Sequence, residues 1–496
     1  MSFVWNLPLF MIIGSLFLAA LTVLLKKNAL IISEAWIGVL ILMDIMLIRH
    51  TALNGSFTYS MGEFPAPWGN EIRAGALECL VLLAFLIVIL FSMIGGRRYI
   101  KDEIEDSKEN LYFVLLDLLV AAVCALVFTN DIFSGYVFLE ILTMASCGLM
   151  IVREVGKTTL AAIRYMVINL FGSGFFLLGV ILLYSMTGHL LMVPLSEALE
   201  LLAQNPEMKL SLAFSLGVMT LGLAIKSGLF PFCFWMPDTY GWSTPTTASI
   251  MSSVVSKAYI FLLIKIYYRV VGPKLLVELP IQTILLVLGI CAMIIGSLAA
   301  IRENNINRMV ALSSAAQIGY IFMALGMGFD SAYAAAIFHL IAHSVTKSLL
   351  FLTTPRLAEV SNGSLVFHDL QGSGLKRPLE GIVFTACAFS MVGIPIFAGF
   401  SSKLFITVAA SDANSKIVFY AVVCALAISA VLNALYFVRT VIRIFSRPEG
   451  DAEITTVKSE LDYAVSSIGL LGSNVLLGVA PMIVFELITL GILQLR

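Results

Sequence analysis

Three side chains that can carry protons follow one another at four-residue intervals inside an apolar segment. They are His339, His343 and Lys347, in the stretch IFHLIAHSVTKSLLF at residues 337–351, and they include two of the 5 histidines in the chain. Side chains four residues apart share one face of a helix. Histidine is also the side chain whose charge changes most readily near neutral pH. We therefore interpret this stripe as the lining of a buried, hydrated proton path.

A metal site is the other use that a histidine pair with this spacing could have. The HExxH pattern requires a glutamate directly after the first histidine, but that residue is Leu340, and the sequence shows no third ligand. We therefore expect no metal. The 7 cysteines stand singly in apolar segments, which predicts small buried hydrophobic side chains and no haem, iron–sulfur or other cofactor. They occupy positions 79, 124, 147, 233, 291, 387 and 424.

The composition is that of a membrane protein. The chain is 60% hydrophobic and 12% charged over 496 residues, whereas soluble proteins are about 25% charged. The net charge of -1 gives no sign of a nucleic-acid partner. Spans of about 20 apolar residues can be marked along the whole chain, and the first lacks the features of a cleavable signal. The fourteen predicted spans are 4–25, 29–49, 75–95, 111–129, 132–152, 158–185, 211–231, 243–268, 278–300, 306–327, 332–354, 379–398, 416–440 and 462–490.

The distribution of positive charge predicts the orientation in the cell membrane. Lysine and arginine concentrate in the loops after spans 1, 3, 5, 9, 11 and 13, and such loops stay in the cytoplasm. Both termini are therefore predicted on the outer side of a multi-pass protein. The residues counted are Lys26, Lys27, Arg97, Arg98, Lys101, Lys108, Arg153, Lys157, Arg302, Arg308, Arg356, Lys376, Arg377, Arg443, Arg447 and Lys458.

Two apolar segments are interrupted by helix-breaking residues. Pro231 lies in LAIKSGLFPFCFWMPDTYGWSTPTT, and Pro395 lies in MVGIPIFAGFSSKLF. Proline removes a helical hydrogen bond, and the freed carbonyl is tolerated in a membrane only when it is buried in protein or faces water. Each interruption lies close to a lysine, Lys226 or Lys403. This arrangement suggests paired inverted repeats around ion pathways.

Charged groups deep in a membrane cost at least about 2.5–3.5 kcal/mol each and therefore indicate function. Glu140 either forms only a structural salt bridge or controls the proton on a lysine across a helix interface, since burial favours the neutral amine and a nearby carboxylate favours the ammonium. Lys257 lies too far inside its span to reach the interface. The predicted buried groups are Glu140, Lys226, Lys257, His339, His343, Lys347 and Lys403.

Five ordered motifs between about residues 110 and 410 resemble the antiporter-like subunits of respiratory complex I, Mrp-type cation/proton antiporters and membrane-bound hydrogenases. The motifs are YFVLLDLLVAAVCALVFTNDIFSGYVFLEILTMASCGLMIV, KSGLFPFCFWMPDTYGWSTPTTASIMSSVVSKAY, NRMVALSSAAQIGYIF, FHLIAHSVTKSLLF and GIPIFAGFSSK.

The resemblance implies an all-α polytopic membrane protein of about fourteen transmembrane helices, with two inverted five-helix repeats and two broken helices. The implied regions are an N-terminal three-helix region (1–110), the first repeat (111–270), the second repeat (271–445), and a C-terminal loop with the last helix (446–496). Glu140 matches the glutamate of helix 5 in the family, Lys226 and Lys403 the lysines of broken helices 7 and 12, and Lys257 the bridging lysine of helix 8. His339, His343 and Lys347 match the central row of helix 11.

The resemblance also implies partners: other membrane subunits of a hetero-oligomeric complex, including homologous antiporter-like subunits, with H+ as the transported ion and Na+ as the alternative. The subunit itself would carry no redox site.

The sequence departs from the family pattern at several positions. Met251 replaces a histidine that many members carry in helix 8, and NNINR replaces the usual acidic-then-lysine pattern before helix 10. Asp117 is an additional acid, which we expect either to pair with Arg164 or to face solvent. We expect no long lateral helix of the kind found in the most distal complex I subunit, so the sequence looks more like the middle subunits, the D-type Mrp subunit or a hydrogenase counterpart.

The leading hypothesis is a proton-translocating subunit of a larger complex, with sodium/proton exchange as a variant. A stand-alone solute transporter would need a polar cavity at the membrane midplane, whereas these charges form a string. A membrane enzyme would need a nucleophile or a metal constellation. A non-conducting scaffold subunit remains the other alternative.

Overall fold

The computed structural model describes residues 3–25, 28–64, 69–413, 415–447 and 455–495. Lys26 and Lys27, which contribute to the charge rule, lie outside the described residues. In the first half the helices are α1 Leu7–Thr22, α2 Ala29–Asn54, α3 Ala76–Glu103, α4 Asp106–Phe128, α5 Ile132–Ile151, α6 Gly156–Thr187, α7 Met192–Ala203, α8 Lys209–Ser227, α9 Met236–Trp242, α10 Pro245–Ile250 and α11 Ser256–Lys265. In the second half they are α12 Gly272–Glu278, α13 Ile281–Arg302, α14 Ile306–Leu325, α15 Asp330–Glu359, α16 Ser373–Lys376, α17 Pro378–Val392, α18 Ala398–Ser411, α19 Lys416–Phe445, α20 Leu461–Val479 and α21 Pro481–Leu495.

The helices confirm the predicted fold class. Within the described residues, 13 helical segments are long and apolar enough to cross a membrane. Both α17 and α18 are too short to count among these. The predicted span 379–398 covers α17 and the break, but α18 extends this broken helix beyond the predicted end, to Ser411. Predicted span 14 is divided at Pro481 into α20 and α21. The boundaries of the two repeats stay a prediction.

Both predicted helix breaks begin at a glycine with left-handed backbone geometry. Gly228 ends α8 with φ 76°, and Gly393 ends α17 with φ 98°. Such angles are strained for residues with a Cβ atom, so glycine is the natural residue at these ends. Pro231 and Pro395 follow within the non-helical segments. The first break directly follows Lys226 and the second precedes Lys403, and Pro231 and Pro395 themselves are exposed at the surface of the bundle.

A small antiparallel hairpin, which the sequence did not predict, marks one face of the bundle. Strand β1 (Phe57–Ser60) pairs with β2 (Glu71–Ala74), with Phe57 opposite Ala74. Trp5 stacks on Phe57 with ring centroids 5.2 Å apart, and Arg73 donates a hydrogen bond to the Gln494 carbonyl near the end of the chain. Both ends of the described chain therefore lie at this hairpin face, as an even number of crossings requires.

Helices α6 and α8 pack closely because small residues line their contact. A Cβ atom at Gly222 would lie 2.5 Å from the Gly172 carbonyl oxygen and 2.6 Å from the Phe176 backbone nitrogen. These are rigid main-chain atoms, so the helices would have to separate. Since α8 carries Lys226 in its last turn, this contact also fixes the position of Lys226 relative to α6.

We predict that Gly222→Ala destabilises the protein by about 1–3 kcal/mol, because the added methyl group overpacks the α6–α8 contact. Gly217→Ala is the matched control, since a Cβ atom at Gly217 on the same helix meets nothing within 4 Å. That control should be neutral or stabilising because alanine favours the helix. Thermal unfolding in detergent measures both variants, and equal melting of the two would refute the close contact.

Candidate functional site: a row of buried titratable residues

The first contact of the row joins α5 to α8. Lys226 Nζ lies 3.6 Å from Glu140 Oε1, with the lysine side chain 0% exposed and the glutamate 21% exposed. The ammonium also donates a 2.8 Å hydrogen bond to Thr143 Oγ1. Thr143 in turn is hydrogen-bonded to the Tyr259 hydroxyl at 2.9 Å. A carboxylate and a pair of linked hydroxyl groups thus surround one buried lysine.

Lys257 lies beside a local irregularity in its helix. Residues Met251–Val255 between α10 and α11 form a π-helical turn, a feature frequent at functional sites. Lys257 Nζ donates to the Ser252 carbonyl, which belongs to that turn, and lies 3.3 Å from Ser256 Oγ. Met251, at the position where many family members have histidine, is buried at the start of the turn.

The π turn contacts the histidine helix α15 directly. Ser344 Oγ donates a 2.6 Å hydrogen bond to the Ser253 carbonyl, and Ser344 follows His343 in the chain. Lys347, one turn further along α15, donates to the Val310 carbonyl at 2.7 Å and also to Ser313 Oγ. The two halves of the protein therefore meet where Lys257 and Lys347 lie.

The two histidines stack on one another inside the bundle. The rings of His339 and His343 are 6.0 Å apart with an interplanar angle of 11°, as the four-residue spacing predicted. His339 Nδ1 lies 3.0 Å from Ser402 Oγ on α18. Neither ring nitrogen of His343 has a hydrogen-bond partner among the described residues. His343 is therefore a buried group with both ring nitrogens available to exchange a proton.

Lys403 lies at the far end of the row, on the second broken helix. Its ammonium donates 2.7 Å hydrogen bonds to the carbonyls of Met391 and Val392, the last residues of α17. It also lies 5.4 Å from the centre of the Tyr320 ring, on which His339 stacks at 5.2 Å. The helix break thus supplies the oxygen atoms that solvate the lysine.

All seven residues singled out from the sequence occur in this arrangement, but Glu140 and Lys403 are partly exposed, not buried as predicted. The seven also do not form one continuous chain of contacts. Glu140 and Lys226 are paired directly. Lys257 is connected to that pair only through its helix, by Tyr259, and to α15 through the π turn. In the described part of the chain, Lys257, Lys347 and Lys403 have no ion pair with a carboxylate.

The sequence-based list of buried charges is incomplete, because it omits charged residues close to span ends or on the N-terminal helices. Asp44 on α2 is 0% exposed, and neither carboxyl oxygen has a hydrogen-bond partner among the described residues. Glu78 on α3 and Lys265 on α11 are also 0% exposed, and their charged atoms lie 3.7 Å apart. All three fall inside predicted spans, so the span positions alone could have drawn attention to them.

Asp117 has neither of the environments expected for it. It does not face solvent, being 1% exposed, and Thr22 and Ser33 donate hydrogen bonds of 2.9 and 3.0 Å to its carboxylate. Arg164 instead pairs with Asp238 at 2.6 Å. The reason is that α1 and α2 cover this part of α4, which cannot be deduced from positions along the chain.

The expectation that every cysteine is buried is wrong for three positions. Cys424 is exposed on α19, and Cys233 and Cys291 are partly exposed, whereas the other four are buried. The outer surface of a membrane protein is itself apolar, so a cysteine in an apolar span can equally face outward. The absence of metal and cofactor stays a prediction.

The fold and the row of titratable residues together define a polytopic helical membrane protein that encloses a string of titratable groups. A model of the family described as "NADH:quinone oxidoreductase/Mrp antiporter, TM" matches residues 129–429. The chain is 31% identical to NADH-quinone oxidoreductase subunit N of Desulforudis audaxviator, over 88% of this chain and 86% of that protein. The subunit N of Francisella tularensis is 30% identical over 85% of each chain. This chain therefore belongs to the antiporter-like family of NADH:quinone oxidoreductase and Mrp subunits.

Two solved structures share the fold. One is a chain of the Mrp complex from Dietzia sp., with a TM-score of 0.88, 22% identity, and coverage of 100% of this chain and 98% of that one. The other belongs to the membrane-bound sulfane sulfur reductase, an archaeal respiratory membrane complex, with a TM-score of 0.85, 24% identity, and coverage of 99% and 96%. At these identities the two structures establish the architecture alone.

Proposed function

We propose that this chain is a proton-translocating subunit of a multi-subunit membrane complex. Protons would move along a row formed by Glu140, Lys226, Lys257, His339, His343, Lys347 and Lys403. The observation that carries this proposal is the Glu140–Lys226 pair, with 3.6 Å between Oε1 and Nζ and the lysine fully buried. The relatives that match over most of their length are subunits of NADH-quinone oxidoreductases, which supports a role inside a larger assembly.

The Glu140–Lys226 pair suits proton transfer because the charge state of Lys226 depends on a carboxylate that belongs to another helix. A buried ammonium is stable while a carboxylate is close and becomes costly when the carboxylate is neutralised or withdrawn. The Thr143 hydroxyl accepts from Lys226, donates to the Leu139 carbonyl and is hydrogen-bonded to the Tyr259 hydroxyl. Thr143 takes up the released proton as it turns its own proton from the Leu139 carbonyl to Tyr259. Hydroxyl groups both accept and donate, so this pair can pass a proton towards α11.

Orientation is part of the proposal. The hairpin face, where both ends of the described chain lie, would be on the outer side, and the lysine- and arginine-rich loops would lie in the cytoplasm.

We expect Glu140→Gln and Lys226→Met each to lower proton transport by about 100-fold or more, since proton transfer by a positioned group is worth that factor. Assembly of the complex should be retained. Transport is measured on the purified complex in lipid vesicles, with and without sodium, so that an Na+-dependent component is resolved. Glu197→Gln, an exposed acid on α7, is the control. Normal transport by an assembled Lys226→Met complex would favour the scaffold alternative.

For the histidine stripe we expect a smaller effect on transport. We expect His343→Ala to slow transport severalfold without changing assembly, because it removes a buried group with two free ring nitrogens. The matched control is His368→Ala, whose side chain is 85% exposed and lies away from the row. Unchanged transport by the first variant would restrict His343 to a packing role.

The proposed assembly is tested by identifying the subunits that are purified together with this chain. A tagged copy of this chain, extracted mildly from its native membrane, should be recovered with further membrane subunits, including related antiporter-like chains. Subunits with iron–sulfur or nickel sites would identify a redox-driven complex, and small membrane subunits alone would identify a cation/proton antiporter. Recovery as a single monodisperse chain would contradict the proposal and favour a stand-alone transporter.

Orientation is tested by labelling single introduced cysteines in intact cells with a membrane-impermeant maleimide. Glu207→Cys, in the exposed loop before α8, should react, and Lys101→Cys, exposed near the end of α3, should react only after the cells are opened. The parent chain for both variants needs its exposed Cys424 replaced by serine. The reverse pattern would invert the topology.

A further inference from the structure

A second lysine–carboxylate pair lies at the hairpin end of the bundle, outside the row described above. Lys265 Nζ is 3.7 Å from Glu78 Oε1, and both side chains are 0% exposed. The separation is close to the 3.6 Å of the Lys226–Glu140 pair. Lys265 also donates hydrogen bonds to the carbonyls of Val127 at 2.8 Å and Thr129 at 2.6 Å.

Lys265 is the basic group of this cluster whose protonation state can change. Glu78 is hydrogen-bonded to Arg73. Arg269, one turn beyond Lys265, donates a 2.5 Å hydrogen bond to Asn130 Oδ1, and Asn130 Nδ2 donates at 2.8 Å to Glu71. Three basic groups, Arg73, Lys265 and Arg269, thus lie close to the carboxylates of Glu78 and Glu71, and Asp131 lies near Glu71. Arginine stays protonated in proteins, whereas a buried lysine can lose its proton. Lys265 is therefore the one basic group of the three that can alternate between ammonium and amine.

The pair connects the row to the outer face. Lys265 follows Lys257 by eight residues on α11, which corresponds to about 12 Å along the helix axis. On its other side, the Thr129 region pairs with β2 through the bridge between Ile72 and Thr129. Glu71, at the end of β2, is partly exposed to solvent. The Lys265–Glu78 pair therefore lies between Lys257 and the water at the hairpin face.

We propose that Lys265 and Glu78 form an outer branch of the polar row, through which protons pass between Lys257 and the hairpin face. In each transfer, the neutral amine of Lys265 accepts a proton that Lys257 releases, carried over the intervening distance by water molecules. The ammonium then gives that proton to water at the hairpin face and returns to the amine, so no other group changes its bonding. Arg73 keeps Glu78 in place as a fixed negative charge. This inference rests on the proposed proton transport.

A purely structural ion cluster is the rival explanation, because Arg73 also joins the hairpin to the last helix through Gln494. Two substitutions separate the explanations. Lys265→Met leaves Glu78 paired with Arg73 and removes the titratable group. Lys265→Arg keeps the positive charge and the donors but cannot release a proton at ordinary pH.

The experiment measures proton transport by the intact complex in lipid vesicles, with assembly and thermal stability measured on the same preparations. We expect Lys265→Met and Lys265→Arg to assemble and to lose transport by about tenfold or more. Lys209→Met is the control, because Lys209 forms an exposed ion pair of 2.6 Å with Glu278. Normal transport by either assembled Lys265 variant would overturn the proposal, and failure of both to assemble would establish the structural cluster instead.

Lys226→Met is measured in parallel to separate this inference from the proposed function. Loss of transport in Lys226→Met with normal transport in Lys265→Met refutes the outer branch alone. Normal transport in Lys226→Met refutes the proposed proton row itself, whatever the Lys265 variants do.

Discussion

The structure depends on one requirement: an ammonium group inside a membrane must be solvated by oxygen atoms of the protein. The hydrocarbon core of a bilayer offers no hydrogen-bond acceptor, and regular helices use their own carbonyls. In this chain the lysines meet the requirement where carbonyls or hydroxyls are available. Lys403 bonds the last two carbonyls of α17, next to a helix break. Lys257 bonds a carbonyl of the π turn, and Lys265 bonds carbonyls at and just beyond the end of α4. The helix irregularities therefore allow Lys257 and Lys265 to be buried and Lys403 to be partly buried.

The nature of the solvating group determines how firmly each lysine holds its charge. A carbonyl oxygen accepts a hydrogen bond from an ammonium and from a neutral amine alike, whereas a carboxylate strongly favours the ammonium. Lys257 and Lys403 have carbonyl partners, and Lys226 has a carboxylate. The middle and far end of the row can thus accommodate either protonation state without rearrangement. Of these three lysines, only Lys226 has a carboxylate partner, Glu140, in the part of the chain that the structure describes, and that partner lies on another helix.

The sequence predicted those features that depend on residues close together in the chain. Hydropathy located the spans, glycine and proline located the two breaks, and the four-residue spacing placed His339 and His343 on one face of a helix. Contacts between distant segments were not predictable in the same way. Neither the pairing of β1 with β2 nor that of Lys265 with Glu78 has a local signal. Asp117 shows the limit most clearly, because its partners Thr22 and Ser33 lie on helices whose packing against α4 is a property of the whole bundle.

The two broken helices present their lysines differently. Lys226 precedes its break and is paired with an acid from a neighbouring helix, α5. Lys403 follows its break and is bonded to α17, the other half of its own broken helix. A shift of α5 would therefore change the charge environment of Lys226 at once. The contacts of Lys403 change only if the break between α17 and α18 itself opens or closes. If both lysines exchange protons, the first half must respond to motion between helices and the second to motion within one helix.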